Sequence, residues 1–210
     1  MIDIVCVLRK SKDFDVDYVE HLKDGIDKNL SIPYNFTCLT DTKPNCDYLP
    51  LTENLPGWWN QIEIFKPQLF QNQVFYFDLD QIIVGNIDEL CSYTGTFGAL
   101  HRFNRNKDMS TSFMSFNPKK MSYLWEEYKT GKYNKFMVPP ISGENKSIAL
   151  NFFKPNVSDW DCISDLYPNT FLNYKVQYRK NPRKCKILWF HCKPRPRDVD
   201  WLKNDNNIST

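Results

Sequence analysis

Three observations predict an α/β chain built on a mixed, mostly parallel central sheet flanked by helices. A strand-like run opens the chain, and an amphipathic helix and a second strand follow at a spacing that favours a parallel βαβ unit. A later apolar strand ends in two carboxylates, in "VFYFDLDQIIVGN", Val74 to Asn86. A last apolar run, "KILWFH", Lys186 to His191, leads into a cluster of His and basic residues.

The elements follow in order. "IDIVCVL", Ile2 to Leu8, is short, apolar and rich in β-branched residues, which reads as a buried strand. Val16, Val19, Leu22, Ile26 and Leu30 recur at spacings of three and four and mark one face of a helix. "YNFTCLT", Tyr34 to Thr40, gives the second strand, and "DTKPNCD" is turn-forming. Ile62 to Phe70 reads as an apolar helix that Pro67 kinks or ends. "IDEL", Ile87 to Leu90, predicts one helical turn, "FGALH" and "TSFMSFN" two strands, and "KKMSYLWEEYK" an amphipathic helix. Residues 1–202 form one predicted domain, and the polar stretch 203–210 is expected to fray.

Composition narrows the function classes. In 210 residues, 41% hydrophobic and 15% aromatic content predicts a packed globule, and a net charge of +2 gives no general reason to bind nucleic acid or membranes. Between Lys175 and Arg197, however, nine Lys and Arg residues occur with no acidic residue, which asks for an anionic partner. The seven cysteines are scattered with no CxxC pair, so they form no zinc framework. No run approaches the ~18 apolar residues of a membrane span, and the first ten residues do not resemble a signal peptide. A reducing cytoplasm is the expected location.

Asp78 and Asp80 carry the chemistry. Two residues apart on a strand, they would share a face, and unpaired carboxylates about 5 Å apart repel by roughly 3 kcal/mol at an effective dielectric near 20. A cation is expected beside them. Asp-x-Asp after an apolar strand fits three readings: a turn cap, a haloacid-dehalogenase-like phosphatase, or a transferase that holds a metal against a diphosphate. The phosphatase motif continues with Gly-Thr, where this chain has Gln81 and Ile82.

The wider context is more specific. "GWWNQIEIFKPQLFQNQVFYFDLDQIIVGNIDEL", Gly57 to Leu90, resembles the donor-site segment of GT-A fold glycosyltransferases, especially glycogenin-like family 8 enzymes and related bacterial and phage proteins. "WFHCKPRPRDV", Trp189 to Val199, resembles the C-terminal signature of the same group, with Cys192 where Gly is usual. The resemblance implies a GT-A domain that moves a sugar, with retention, from a nucleotide diphosphate sugar, expected to be a UDP-sugar, to a hydroxyl acceptor. It implies a metal held by Asp78, Asp80 and His191, and Lys193 at the departing diphosphate, with Arg195 or Arg197 adding positive charge. Two carboxylates with one imidazole favour Mn2+, with Mg2+ the alternative.

Weaker motifs extend the same picture. Leu8, Arg9, Lys12, Thr40 and Asp41, at the carboxyl ends of the first strands, are the expected base and ribose contacts. Leu79 belongs to the donor motif. Ser112, in "STSFMSFN", is the expected sugar contact, and Glu144 and Asn145, in "SGENKSIA", stand where relatives carry Asp-Gln facing the donor sugar near the reacting carbon. Gln61 replaces a Lys that relatives often carry, with Lys66 the candidate substitute. Trp58 and Trp59 are candidates to line an acceptor cleft. His21 and His101 are read as structural residues. "DFDVD", Asp13 to Asp17, imitates a calcium loop, but Tyr18 stands where Gly is needed. The rival functions are the phosphatase and a non-catalytic nucleotide-sugar-binding protein. Modified DNA is the least expected acceptor.

Overall fold

Alternation along the first strand sets the layering. In β1 (Ile2–Leu8), Ile4, Cys6 and Leu8 enter one hydrophobic core and Val5 the opposite one. Both faces of the sheet are therefore covered, as parallel strands require. The computed structural model describes residues 1–102, 105–140 and 146–199. Glu144, Asn145 and the tail 203–210 lie outside the described residues.

Helix α1 (Val16–Asn29) buries Tyr18, Val19, Leu22 and Ile26 on the first face. The chain returns as β2 (Tyr34–Thr40), parallel to β1 in register from Ile2↔Tyr34 to Leu8↔Thr40. The further strands are β3 (Tyr48–Pro50), β4 (Val74–Phe77), β5 (Gln81–Ile83), β6 (Phe97–Arg102), β7 (Arg105–Phe116), β8 (Asp161–Cys162), β9 (Phe171–Asn173) and β10 (Ile187–Trp189). Seven make one sheet in the order β3-β2-β1-β4-β7-β6-β8, parallel except where β7 pairs with β4 and β6. This is the mixed, mostly parallel α/β architecture expected from the sequence.

Several expectations need correction. A second sheet, in the order β5-β10-β9, was not foreseen. The expected helix over Ile62 to Phe70 is a 3-10 helix at Gly57–Phe65. Pro67 forces Lys66 into an extended conformation, ψ 134°, which ends the helix before the proline. The helix "KKMSYLWEEYK" is divided at Ser122 into α2 (Pro118–Met121) and α3 (Tyr123–Lys129). Short helices α4 (Lys154–Asn156) and α5 (Ile163–Leu166) lie on either side of β8 in the chain.

The small sheet is held close to the first helix. A Cβ at Gly25 of α1 would stand 3.1 Å from the Ile83 Cβ of β5, so glycine permits that approach. No helix among the described residues is long and apolar enough to cross a membrane.

Candidate active site

The two aspartates do not share one strand. β4 ends at Phe77, and the Gln81 N–H donates to the Asp78 carbonyl at 3.2 Å, closing a turn from Asp78 to Gln81. The Asp78 N–H and the Gln81 side-chain amide both donate to the Ser112 carbonyl, at 2.9 Å each, which anchors the turn to β7. The expectation of a common strand face is thus replaced by a turn that brings the two carboxylates together.

Their charge environment answers the question of the missing cation. Arg195 Nη1 donates to Asp80 Oδ2 at 2.6 Å, and both side chains are largely buried. Asp78 is held by neutral groups: Gln61 Nε2 donates to its Oδ1 at 3.1 Å, and the Tyr76 hydroxyl donates to the same oxygen. Loss of hydration, and then the charge of Asp80, push the Asp78 carboxyl well above the usual carboxylate range. Loss of hydration raises Asp80 to about 7, against the pull of Arg195.

These shifts have a definite sign. An acid whose folded pKa is raised favours the fold while protonated, and that contribution is lost as pH rises from the ordinary carboxylate range through about 7. Urea denaturation of the metal-free protein is therefore expected to show lower stability near about pH 8 than near about pH 5, with Asp80→Asn flattening the slope. A stability that rises over this interval would contradict the assignment.

The second sheet delivers the far end of the chain to this turn. β10 runs antiparallel to β5 with Trp189 opposite Gln81, and the Phe190 N–H donates to the Asp80 carbonyl at 3.0 Å. His191, Cys192 and Lys193 follow directly, with exposed side chains. Partial loss of hydration, then the charges of Arg102, Arg195 and Lys175, lower the His191 pKa, which favours the neutral imidazole a metal needs. Asp78, Asp80 and His191 do not form a set whose ligand atoms all lie within 4.8 Å of one another. The backbone brings His191 to the turn, and Arg195 is the cation beside Asp80.

The two arginines expected at the diphosphate have separate partners. Arg195 also lies over the Phe14 ring at 4.6 Å, whereas Arg197 donates to the Tyr18 hydroxyl at 3.0 Å and pairs with Asp15 at 3.1 Å. The C-terminal block is thereby docked on the start of α1. Cys192 has φ 58°, in the left-handed region that favours glycine, at a cost of about 1 kcal/mol. This is the physical reason that Gly suits the position.

The strand-end residues also gather. Arg9 donates from Nε to Asn60 Oδ1 at 2.9 Å and from Nη2 to the Glu53 carbonyl at 2.6 Å, while Asp41 accepts the Lys10 N–H at 3.0 Å. Lys12 is exposed. The side chains of Leu8 and Leu79 are core residues, so only their backbone is available to a ligand. Thr40 is buried, and its hydroxyl is engaged with the Thr42 backbone at 3.0 Å. Ser112 Oγ lies 3.0 Å from Ser110 Oγ.

Other expectations change. Lys66 pairs with the buried Glu63 and lies 4.9 Å over the Trp125 ring, so it is a structural ion rather than a substitute donor contact. Trp59 is fully buried and Trp58 is 40% exposed, and both indole N–H groups donate to the Lys146 carbonyl at 3.1 Å. Only Trp58 is open to a ligand. His21 is exposed on α1. Sequence reasoning missed Tyr76 and Asn60, although Tyr76, two residues before Asp78, carried the alternation signal.

The residues at the turn suit a divalent ion in their chemistry. Two carboxylates with raised pKa values lie together, Gln61 bonds Asp78 through Nε2 while its buried Oε1 has no hydrogen-bond partner among the described residues, and Arg195 pairs with Asp80.

No protein-family model matches the chain, and no curated protein matches it in sequence. Solved structures do. The glycosyltransferase GlyE of Streptococcus pneumoniae superposes with a TM-score of 0.64 at 11% identity, over 93% of this chain and 56% of that one. The galactosyltransferase LgtC, solved with donor and acceptor sugar analogues, gives 0.63 at 8% identity over 92% and 88%. The bifunctional glycosyltransferase WbbM gives 0.64 at 12% over 97% and 48%. This chain thus spans little more than half of GlyE and about half of WbbM, and at such identities the likeness establishes architecture: the chain has the GT-A-like fold of these glycosyltransferases.

Proposed function

We propose that the chain is a metal-dependent glycosyltransferase that moves a sugar from a UDP-sugar to a hydroxyl acceptor with retention of configuration. One observation supports the reading: on this fold, β10 pairs with β5 so that the chain reaches the Asp78–Asp80 turn at Phe190, one residue before His191, and Arg195 meets Asp80. Neither the motif continuation nor the similar structures favour the phosphatase.

Asp78 and Asp80, with His191, would hold Mn2+ or Mg2+, which supplies charge neutralisation for the diphosphate. Gln61 and Tyr76 orient Asp78 by hydrogen bonds. Lys193 and Arg195 place fixed positive charge where the diphosphate departs, and that charge is worth most where water is excluded. Arg9, the Lys10 N–H and Asp41 offer donors and an acceptor for ribose and base at the carboxyl ends of β1 and β2. Ser112 is the proposed sugar contact, and Glu144 and Asn145 the proposed groups near the reacting carbon. With retention, the leaving diphosphate itself assists attack, so no separate base is required.

A thermal-shift screen of UDP-sugars with Mn2+ tests the reading. A donor that binds only the folded state is expected to stabilise by ~2.7 kcal/mol at about 100 times its dissociation constant, and UDP release should follow with the matching acceptor. Absence of both binding and UDP release with every UDP-sugar would refute the proposal. Tight binding without turnover would instead favour a nucleotide-sugar-binding protein.

A further inference from the structure

A second group of metal-ligand side chains lies away from the Asp78–Asp80 turn, at the edge of the large sheet. β6 and β8 pair in parallel with Ala99 opposite Cys162, so His101 lies two residues along from the partner of Cys162. Cys162 is the N-cap of α5, and Asp165 sits within the single turn that follows. The His101 N–H donates to Ser164 Oγ at 3.3 Å, which ties that turn back to β6. The imidazole packs edge-on against Trp160 at 5.6 Å, with Nδ1 3.9 Å from Asp165 Oδ1.

One ligand atom from each of His101, Cys162 and Asp165 lies within 4.8 Å of the others, and theirs is the only such group of His, Cys, Asp and Glu side chains among the described residues. We propose that these three residues form a binding site for a zinc-class cation, separate from the Asp78–Asp80 turn. A thiolate, an imidazole and a carboxylate together suit a borderline-soft ion, whereas Mg2+ and Ca2+ prefer oxygen alone.

The geometry is close to what such an ion needs. Zinc–ligand bonds of about 2.0–2.3 Å set tetrahedral neighbours roughly 3.3–3.8 Å apart, so the groups, all within 4.8 Å of one another, need close by no more than about 1.5 Å. Asp165, with its side chain 71% exposed, has the freedom to do so. Binding replaces the thiol proton with a metal–sulfur bond, and the proton leaves to solvent. Three protein ligands leave one position for water or another ligand. His101 and Asp165 line a cavity of about 500 Å3, together with Arg102, Asn173, Arg183 and Trp189, so the ion would stand at its wall.

The same trio invites comparison with a thiol hydrolase. Burial above all, with the Asp165 charge adding to it, raises the Cys162 pKa above its ordinary value. An activated nucleophile needs the opposite shift. A metal, by contrast, draws the proton off in binding.

Cobalt titration of the reduced, metal-free full chain tests the site. The first equivalent of Co2+ is expected to produce an intense near-ultraviolet thiolate-to-cobalt band that Zn2+ abolishes, and Zn2+ should raise the melting temperature. Cys162→Ser should lose both responses while keeping its circular dichroism spectrum, and Asp78→Asn should keep both. Asp165→Asn, at an exposed position that leaves the fold intact, should weaken Zn2+ binding on the order of tenfold or more. The absence of a band, its survival in Cys162→Ser, its loss in Asp78→Asn, or unchanged Zn2+ affinity in Asp165→Asn would each overturn the assignment. Because its readout is metal binding, the test stands or falls independently of sugar transfer.

Discussion

Exchanging Asp78 for Asn is expected to lower UDP release from the cognate donor on the order of 10²–10³-fold, the loss typical when one electrostatic contact to developing charge is removed. The exchange is nearly isosteric, and the side-chain oxygen can still accept from Gln61 and Tyr76. It also removes a carboxyl that could ionise only at the cost of desolvation and of repulsion from Asp80. The metal-free variant should therefore melt at the same temperature as the parent or higher, while Mn2+ no longer stabilises it. Activity and stability moving in opposite directions separates a working carboxylate from a structural one. Full turnover with intact Mn2+ dependence would exclude Asp78 from the machinery.

Glu63→Ala should give the largest loss of stability. Glu63 has no solvent exposure, and its carboxylate accepts the Thr52 N–H at 2.9 Å and the Glu53 N–H at 3.1 Å while pairing with Lys66. Removing it leaves an ammonium without its partner and two backbone donors without acceptors. Breaking a buried pair in this way costs about 3–5 kcal/mol, which for a chain of this size lowers the melting temperature by roughly 6–20 °C. Arg9 donates to the Glu53 carbonyl, so the strand-end cluster should loosen with it and donor affinity should fall. A urea midpoint close to that of the parent would show that the network contributes little.

The sequence was most legible where burial is two-sided and local. β1 and β2 occupy Ile2–Leu8 and Tyr34–Thr40, the bounds read from their apolar runs, because a strand covered on both faces leaves a continuous signal. Three-residue strands such as β5, β9 and β10 are too short for periodicity, so the second sheet stayed hidden even though "KILWFH" was read as a strand. The 3-10 helix at Gly57–Phe65 shares its apolar composition with an α-helix, and composition does not distinguish them. In the site, the Asp-x-Asp and the C-terminal block were each recognisable as strings of residues. Which arginine meets Asp80 was not, because a contact spanning 115 positions leaves no local trace. The nearness of His101 to Cys162 and Asp165 is hidden for the same reason, since they lie about sixty positions apart in the chain.

The clasp between β5 and β10 also has a temporal meaning. Asp80 and Arg195 are 115 residues apart, so at ordinary elongation rates the acidic turn leaves the ribosome roughly 6–23 s before the basic block that completes it. During that interval Asp80 lacks the arginine that pairs with it in the fold. The pocket therefore cannot be completed before Arg195 has been made, and competence to bind an anionic ligand waits for the basic block that follows β10.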